Sequence, residues 1–136
     1  MVAQGVDRLL ATADAIPFGV ALSFVTGIPL VYSQGTGAAA VHDLTGAYDI
    51  GHPALLVTNH LTDWEHTRAL VQGARQVGLT VNSVLSVVTS HMLPVTADLK
   101  ATGLVYLPDV VQRLSEQGEL SPLHAQVVET WLQQTR

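Results

Sequence analysis

Apolar and polar positions along the chain fall into short runs that switch between two rhythms. RLLATA (8–13), IPLVYS (28–33), PALLVTN (53–59), LTVNSVLSVVT (79–89) and GLVYLP (103–108) are mostly apolar runs of strand length. Runs of this kind fit strands buried on both faces, as in a parallel sheet. Between them, PFGVALSFVTG (17–27) predicts a helix, with Pro17 suited to its opening and Gly27 to its end. WEHTRALVQGARQV (64–77) has apolar residues at helical spacing and is closed by Gly78. PDVVQRLSEQG (108–118) and SPLHAQVVETWLQQ (121–134) predict two closing helices, each with proline at or beside its first position and the second with Ser121 as N-cap. QGTGAAAVHDLTGAYDIG (34–51) is glycine-rich and predicts a loose loop or hairpin. Strands alternating with helices imply one α/β domain over 1–136, a mainly parallel sheet with helices on its faces. Ligands of such sheets sit beyond the carboxyl ends of the strands. Thr58–Thr67 occupies such a position.

Composition sharpens this picture. The chain has 136 residues, 48% of them hydrophobic and only 12% charged, with a mean hydropathy of +0.33. So apolar a composition in so small a domain favours self-association over a monomer. Six basic residues against eleven acidic give a net charge of −5, which disfavours nucleic acid and anionic membranes. The absence of cysteine excludes thiol catalysis, disulfides and thiolate metal sites. The apolar stretch Ile16–Tyr32 is broken by Pro17, Gly19, Gly27 and Pro29 and does not make a membrane span. The start MVAQGVDRLL lacks a basic region followed by an apolar one, so no signal peptide is read and the expected location is the cytoplasm.

The segment TNHLTDWEHT (58–67) has no glycine, lysine or arginine before its helix and carries two carboxylates. TDWE (62–65) has the form of a capping box: Thr62 can accept from the amide of Glu65, and Glu65 can reach back to the amide of Thr62. Asp63 adds negative charge beside the positive end of the helix dipole. Amides that would otherwise bind phosphate are then satisfied from within the chain. Trp64 supplies none of the freedom a tight phosphate turn takes from glycine. The expected reading is a self-capped helix start. Its rival is a pocket for an uncharged or cationic ligand lined by Thr58, Asn59, His60, Asp63 and His66.

Other candidates carry weaker signals. His60 and His66 match no strong zinc spacing, so no metal site is assigned. His42-Asp43 is read as a turn rather than an acid–base pair. Ser86, Ser90 and His91 lack a nucleophile-elbow context. Trp131 is expected to be a core or interface anchor, and Tyr32 and Tyr48 are expected to pair across hairpin strands.

The order of these pieces resembles the type I phosphoribosyltransferases, most of all the orotate phosphoribosyltransferase family. ATADAIPFGVALSFVTGIPLVY looks like that family's strand, pyrophosphate loop, helix and next strand. LTGAYDIGHPALLV looks like the segment before its phosphoribosyl diphosphate (PRPP) motif, and GLTVNSVLSVV and TGLVYLPDVVQRLSEQGELSP like its later strands and closing helices. The resemblance implies a Rossmann-like core with a reduced or missing N-terminal hood. It aligns Thr58 and Asn59 with the acidic pair that holds the ribose. Thr62 and Asp63 align with the two threonines of the phosphate turn, Trp64 and Glu65 with its glycines, and His66 with the next small hydroxyl residue. These are the positions equivalent to the PRPP motif, and nearly all their chemistry is replaced. The pyrophosphate loop has Ala11, Asp14 and Ala15 where glycines are usual, and no Lys or Arg occurs from Leu9 to Thr67.

The resemblance therefore implies a divergent relative with impaired or absent PRPP chemistry, acting as a binding or regulatory subunit and forming a homodimer. Two alternatives stand beside it. One is an active enzyme of nucleotide metabolism using PRPP and magnesium, its missing lysines supplied by a partner chain. The other is a structural partner of an active paralogue. No catalytic residue is assigned, a small nucleotide-related ligand is expected, and magnesium is implied only with PRPP.

Overall fold

The computed structural model describes residues 5–33, 44–61, 64–92 and 96–134. Among these residues six strands form one sheet: β1 (Arg8–Ala11), β2 (Leu30–Ser33), β3 (Leu44–Thr45), β4 (Pro53–Leu61), β5 (Thr80–Thr89) and β6 (Lys100–Tyr106). Four α-helices connect or follow them: α1 (Ile16–Thr26), α2 (Trp64–Gln76), α3 (Leu107–Glu116) and α4 (Pro122–Gln134). The strand order is β3-β2-β1-β4-β5-β6. Every pairing is parallel except β2 with β3. The expected α/β architecture and the two-rhythm pattern are both present.

The apolar runs are explained by β1, which has neighbours on both sides. Leu9 pairs with Leu30 and Leu55, Leu10 with Val31 and Leu56, and Ala11 with Tyr32 and Val57. Side chains alternate between faces along each strand. Leu9 and Val57 therefore join Ala15 in one cluster, with Phe18 and Leu22 of α1 packed on it. Leu10, Val31, Ala54 and Leu56 join Val71 and Ala74 of α2 and Val81 and Val84 of β5 in the other. Gly19 lets α1 approach the sheet: a Cβ there would lie 3.0 Å from both Ala11 Cβ and Leu30 Cδ1. Gly27 closes the helix in the left-handed region at φ 72°, donating its amide to Ser23 O, a conformation glycine adopts without a Cβ penalty.

Between Ala54 and Leu55 the register of β4 on β5 slips. Arg75, near the end of α2, answers that irregularity. Its Nε and Nη2 donate to Val81 O at 2.9 and 2.6 Å, and Nη2 also donates to Asp98 O at 3.0 Å. The guanidinium thus supports the amino-terminal edge of the sheet, and Arg75 pairs with Asp98 at 3.4 Å. The carboxyl of Asp98 is held below its ordinary range, chiefly by a backbone hydrogen bond and further by Arg75 and Arg68.

Three expectations change in detail. The first strand stops at Ala11 rather than continuing to Ala13, because residues 13–15 turn into a short 3-10 helix leading into α1. β4 runs to Leu61 rather than Asn59, because β5 is long enough to pair with it as far as Leu61↔Thr89. The expected pairing of Tyr32 with Tyr48 is not formed. Tyr32 lies opposite Thr45, and Tyr48, beyond the two-residue β3, packs instead on the cluster under α2.

Candidate functional site

β1 sits between β2 and β4, so successive connections leave it in opposite directions. The crevice beyond the carboxyl ends of β1 and β4 is the topological switch point where α/β sheets place ligands. Here that crevice is stitched by side chains. Asn59 Nδ2 donates to Asp14 O, and Thr12 Oγ1 donates to Asp14 Oδ1. The amide of Thr12 donates to Val57 O at 3.1 Å. The turn after β1 and the end of β4 are thereby tied to each other.

The residues expected at this edge divide into three groups. Thr58 and Asn59 both lie within β4 rather than in the loop beyond it. Thr58 is buried and stands opposite Ser86 of β5, whereas the half-buried Asn59 reaches the Asp14 carbonyl. Trp64, Glu65 and His66 open α2. Trp64 packs against the core cluster under that helix, while Glu65 and His66 are exposed. Thr62 and Asp63 lie outside the described residues, and with them the capping box. His42 and Asp43 also lie outside.

A second cluster stands beside the crevice, at the ends of β4 and β5. His60 Nε2 is hydrogen-bonded to Ser90 Oγ, and its imidazole stacks on the Trp131 ring, with centroids 5.9 Å apart and planes inclined by 24°. Burial holds the His60 pKa below its ordinary value. His91 pushes it the same way, and Asp14 opposes both. The neutral imidazole is therefore the favoured form at neutral pH. Ser90 is 2% exposed, so its hydroxyl serves the histidine and does not face a substrate. Ser86 is also buried and donates to Val88 O at 2.7 Å. No group of three or more metal-binding side chains occurs among the described residues.

The sequence pattern offered Trp131 as an anchor and His60 as a possible lining residue but gave no sign that they meet. Only the parallel register, which carries β4 and β5 to a common edge, placed His60 and Ser90 within reach of each other.

The charge distribution is as informative as the contacts. Arg8 and Lys100 are the first residues of β1 and β6, and Arg75 grips the start of β5. All three lie at the amino-terminal edge. Arg68 is near enough to Asp98 to act on its carboxyl, and Arg113 belongs to α3. The segments that form the carboxyl edge, 12–15, 58–61 and 89–92, contain Asp14, His60 and His91 as their ionisable groups, with no Lys or Arg.

No family model matches the chain. Its fold does match solved structures. Leishmania donovani UMP synthase aligns with a TM-score of 0.77 at 21% identity, over 95% of this chain and 29% of that one. An orotate phosphoribosyltransferase from Aeropyrum pernix gives 0.64 at 15% identity, over 81% and 65%. An adenine phosphoribosyltransferase from Leishmania tarentolae gives 0.58 at 14% identity, over 78% and 64%. The chain thus has the type I phosphoribosyltransferase fold, as its sequence resemblance implied. It spans less than a third of the UMP synthase and about two thirds of the Aeropyrum enzyme.

Proposed function

We propose that this phosphoribosyltransferase-like chain is a divergent relative of the orotate enzymes that does not carry PRPP chemistry by itself and acts as a binding or regulatory subunit. The observation that carries this reading is the carboxyl edge of the sheet. Segments 12–15, 58–61 and 89–92 hold a carboxylate and two histidines, and the start of α2 adds Glu65 and His66, but none of them holds a lysine or arginine; Asn59 ties the end of β4 to the turn after β1 through the Asp14 carbonyl. PRPP brings several negative charges and releases pyrophosphate. Such transfer depends on electrostatic stabilisation already in place at the site. Asp14 works against that, and His60, held neutral, supplies no charge.

Association belongs to the same proposal. Helix α1 has no charged residue, and it leaves Phe24 91%, Val25 82% and Val20 53% exposed. Apolar exposure of that kind marks a contact surface, and a second copy of the chain is the occupant proposed here. The active-enzyme reading keeps its place through this same face, since a partner could bring cations to the edge. A pyrophosphate-release assay with PRPP, magnesium and orotate separates the two. The isolated chain is expected to give no turnover above a no-protein control. Turnover by the chain alone would overturn the proposal, and turnover only with a co-purified partner would favour the active-enzyme alternative.

A further inference from the structure

Helix α4 is loosely seated for an element that reaches the ligand edge. Of its thirteen residues only Ala125 is buried, and it packs chiefly against α3. Leu123 and Val127, one helical turn apart, are 68% and 60% exposed. Helix α3 follows β6 with no intervening loop, but α3 and α4 are joined by a separate turn. That turn contains Gly118 in the left-handed region at φ 72°, and a Cβ there would meet nothing within 4 Å. From this turn α4 extends until Trp131, three residues before the end of the helix at Gln134, lies on His60. His60 is the penultimate residue of β4 and is hydrogen-bonded to Ser90, just past the end of β5. A helix with little buried apolar surface has low local stability. Through Trp131 the same helix touches the edge at which α/β sheets bind ligands.

We propose that α4 is a hinged strap that closes the carboxyl edge of β4 and β5 by laying Trp131 on His60, and that it swings at the Gly118 turn to uncover that edge. This rests on the reading of the carboxyl edge as the ligand face and adds a means of controlling access to it. In the closed state Trp131 shields the imidazole from water. In the open state His60, Ser90 and His91 face solvent while the sheet beneath is unchanged. The strap therefore opens without global unfolding.

Hydrogen exchange on the full chain tests this without any ligand, so its outcome is independent of whether PRPP binds. Amides of 122–134 are expected to exchange together and at least ~10-fold faster than those of β4 and β5, as a local opening requires. His60→Ala and Trp131→Ala are each expected to speed exchange in α4 by about 3- to 10-fold, the loss of one aromatic stack, and to leave β1 and β5 unchanged. To separate a folding defect from an opened strap, a Trp64→Phe background provides a second readout. There Trp131 is the sole tryptophan, and its acrylamide quenching is expected to rise when His60 is replaced by alanine. Protection of α4 equal to that of β5 would overturn the strap. So would unchanged α4 exchange together with unchanged Trp131 quenching in the His60→Ala protein.

Discussion

Replacing Asn59 with aspartate restores the charge that the resemblance assigns to this position, and the structure predicts that it costs stability. Asn59 Nδ2 is a donor to Asp14 O. A carboxylate there has no proton to give and sets a charged oxygen against a carbonyl oxygen. Losing a partly exposed hydrogen bond costs about 1 kcal/mol, and the repulsion between acceptors raises the total to about 2 kcal/mol. Asn59→Ala, which loses the bond without the repulsion, should cost about 1 kcal/mol. For a domain of this size the aspartate variant should melt about 5–10 °C lower. Urea unfolding at neutral pH, compared across the wild type, Asn59→Ala and Asn59→Asp, gives both differences directly. The pH dependence has a defined sign. The facing carbonyl raises the folded-state pKa of the introduced carboxyl above its unfolded value. The native state then binds more protons, and the variant should recover stability relative to wild type as the solution is acidified. An Asn59→Asp protein as stable as wild type at neutral pH would refute the stitched-crevice argument.

Three further outcomes follow from the geometry. Gly103→Ala should destabilise by about 1–3 kcal/mol, because its Cβ would fall 2.6 Å from Thr89 Cγ2 and 2.8 Å from Thr89 Oγ1; adding Thr89→Ser should recover part of the loss in denaturant titrations. Arg75→Leu should cost about 2–3 kcal/mol by leaving the Val81 and Asp98 carbonyls without their charged donor, measurable as a lower urea midpoint. The depressed pKa of His60, set first by burial and then by His91, makes its contribution to stability complete above about pH 6.5 and progressively lost as pH falls below that value, since the unfolded state binds the proton more readily. With Asp14, His91, Ser90 and Trp131 left in place, His60→Gln should flatten that part of the stability–pH curve.

The fold was legible because its strands are buried on both faces and so read as apolar runs that helical amphipathicity does not imitate. Where burial is one-sided the pattern weakens. β6 is an edge strand, and its first residues, Lys100, Ala101 and Thr102, carry no run that marks them as strand, yet they pair with Ser83, Val84 and Leu85. The sequence points to Tyr48 as the hairpin partner of Tyr32 because the alternation near it looks like a strand. The chain there in fact turns Tyr48 onto the core under α2. At the candidate site, the lack of lysine and arginine from Leu9 to Thr67 could be read directly from residue types. The Asn59–Asp14 tie and the Trp131–His60 stack could not, because each joins side chains far apart in sequence and depends on the strand register and the seating of α4.

The measurement that bears most directly on the central claim is calorimetric titration of the folded protein with PRPP and magnesium, with orotate and UMP run in parallel. No binding heat from PRPP is expected. A saturable PRPP signal, lost on adding excess pyrophosphate, would show that the carboxyl edge still cradles phosphate despite Asp14 and would contradict the proposal.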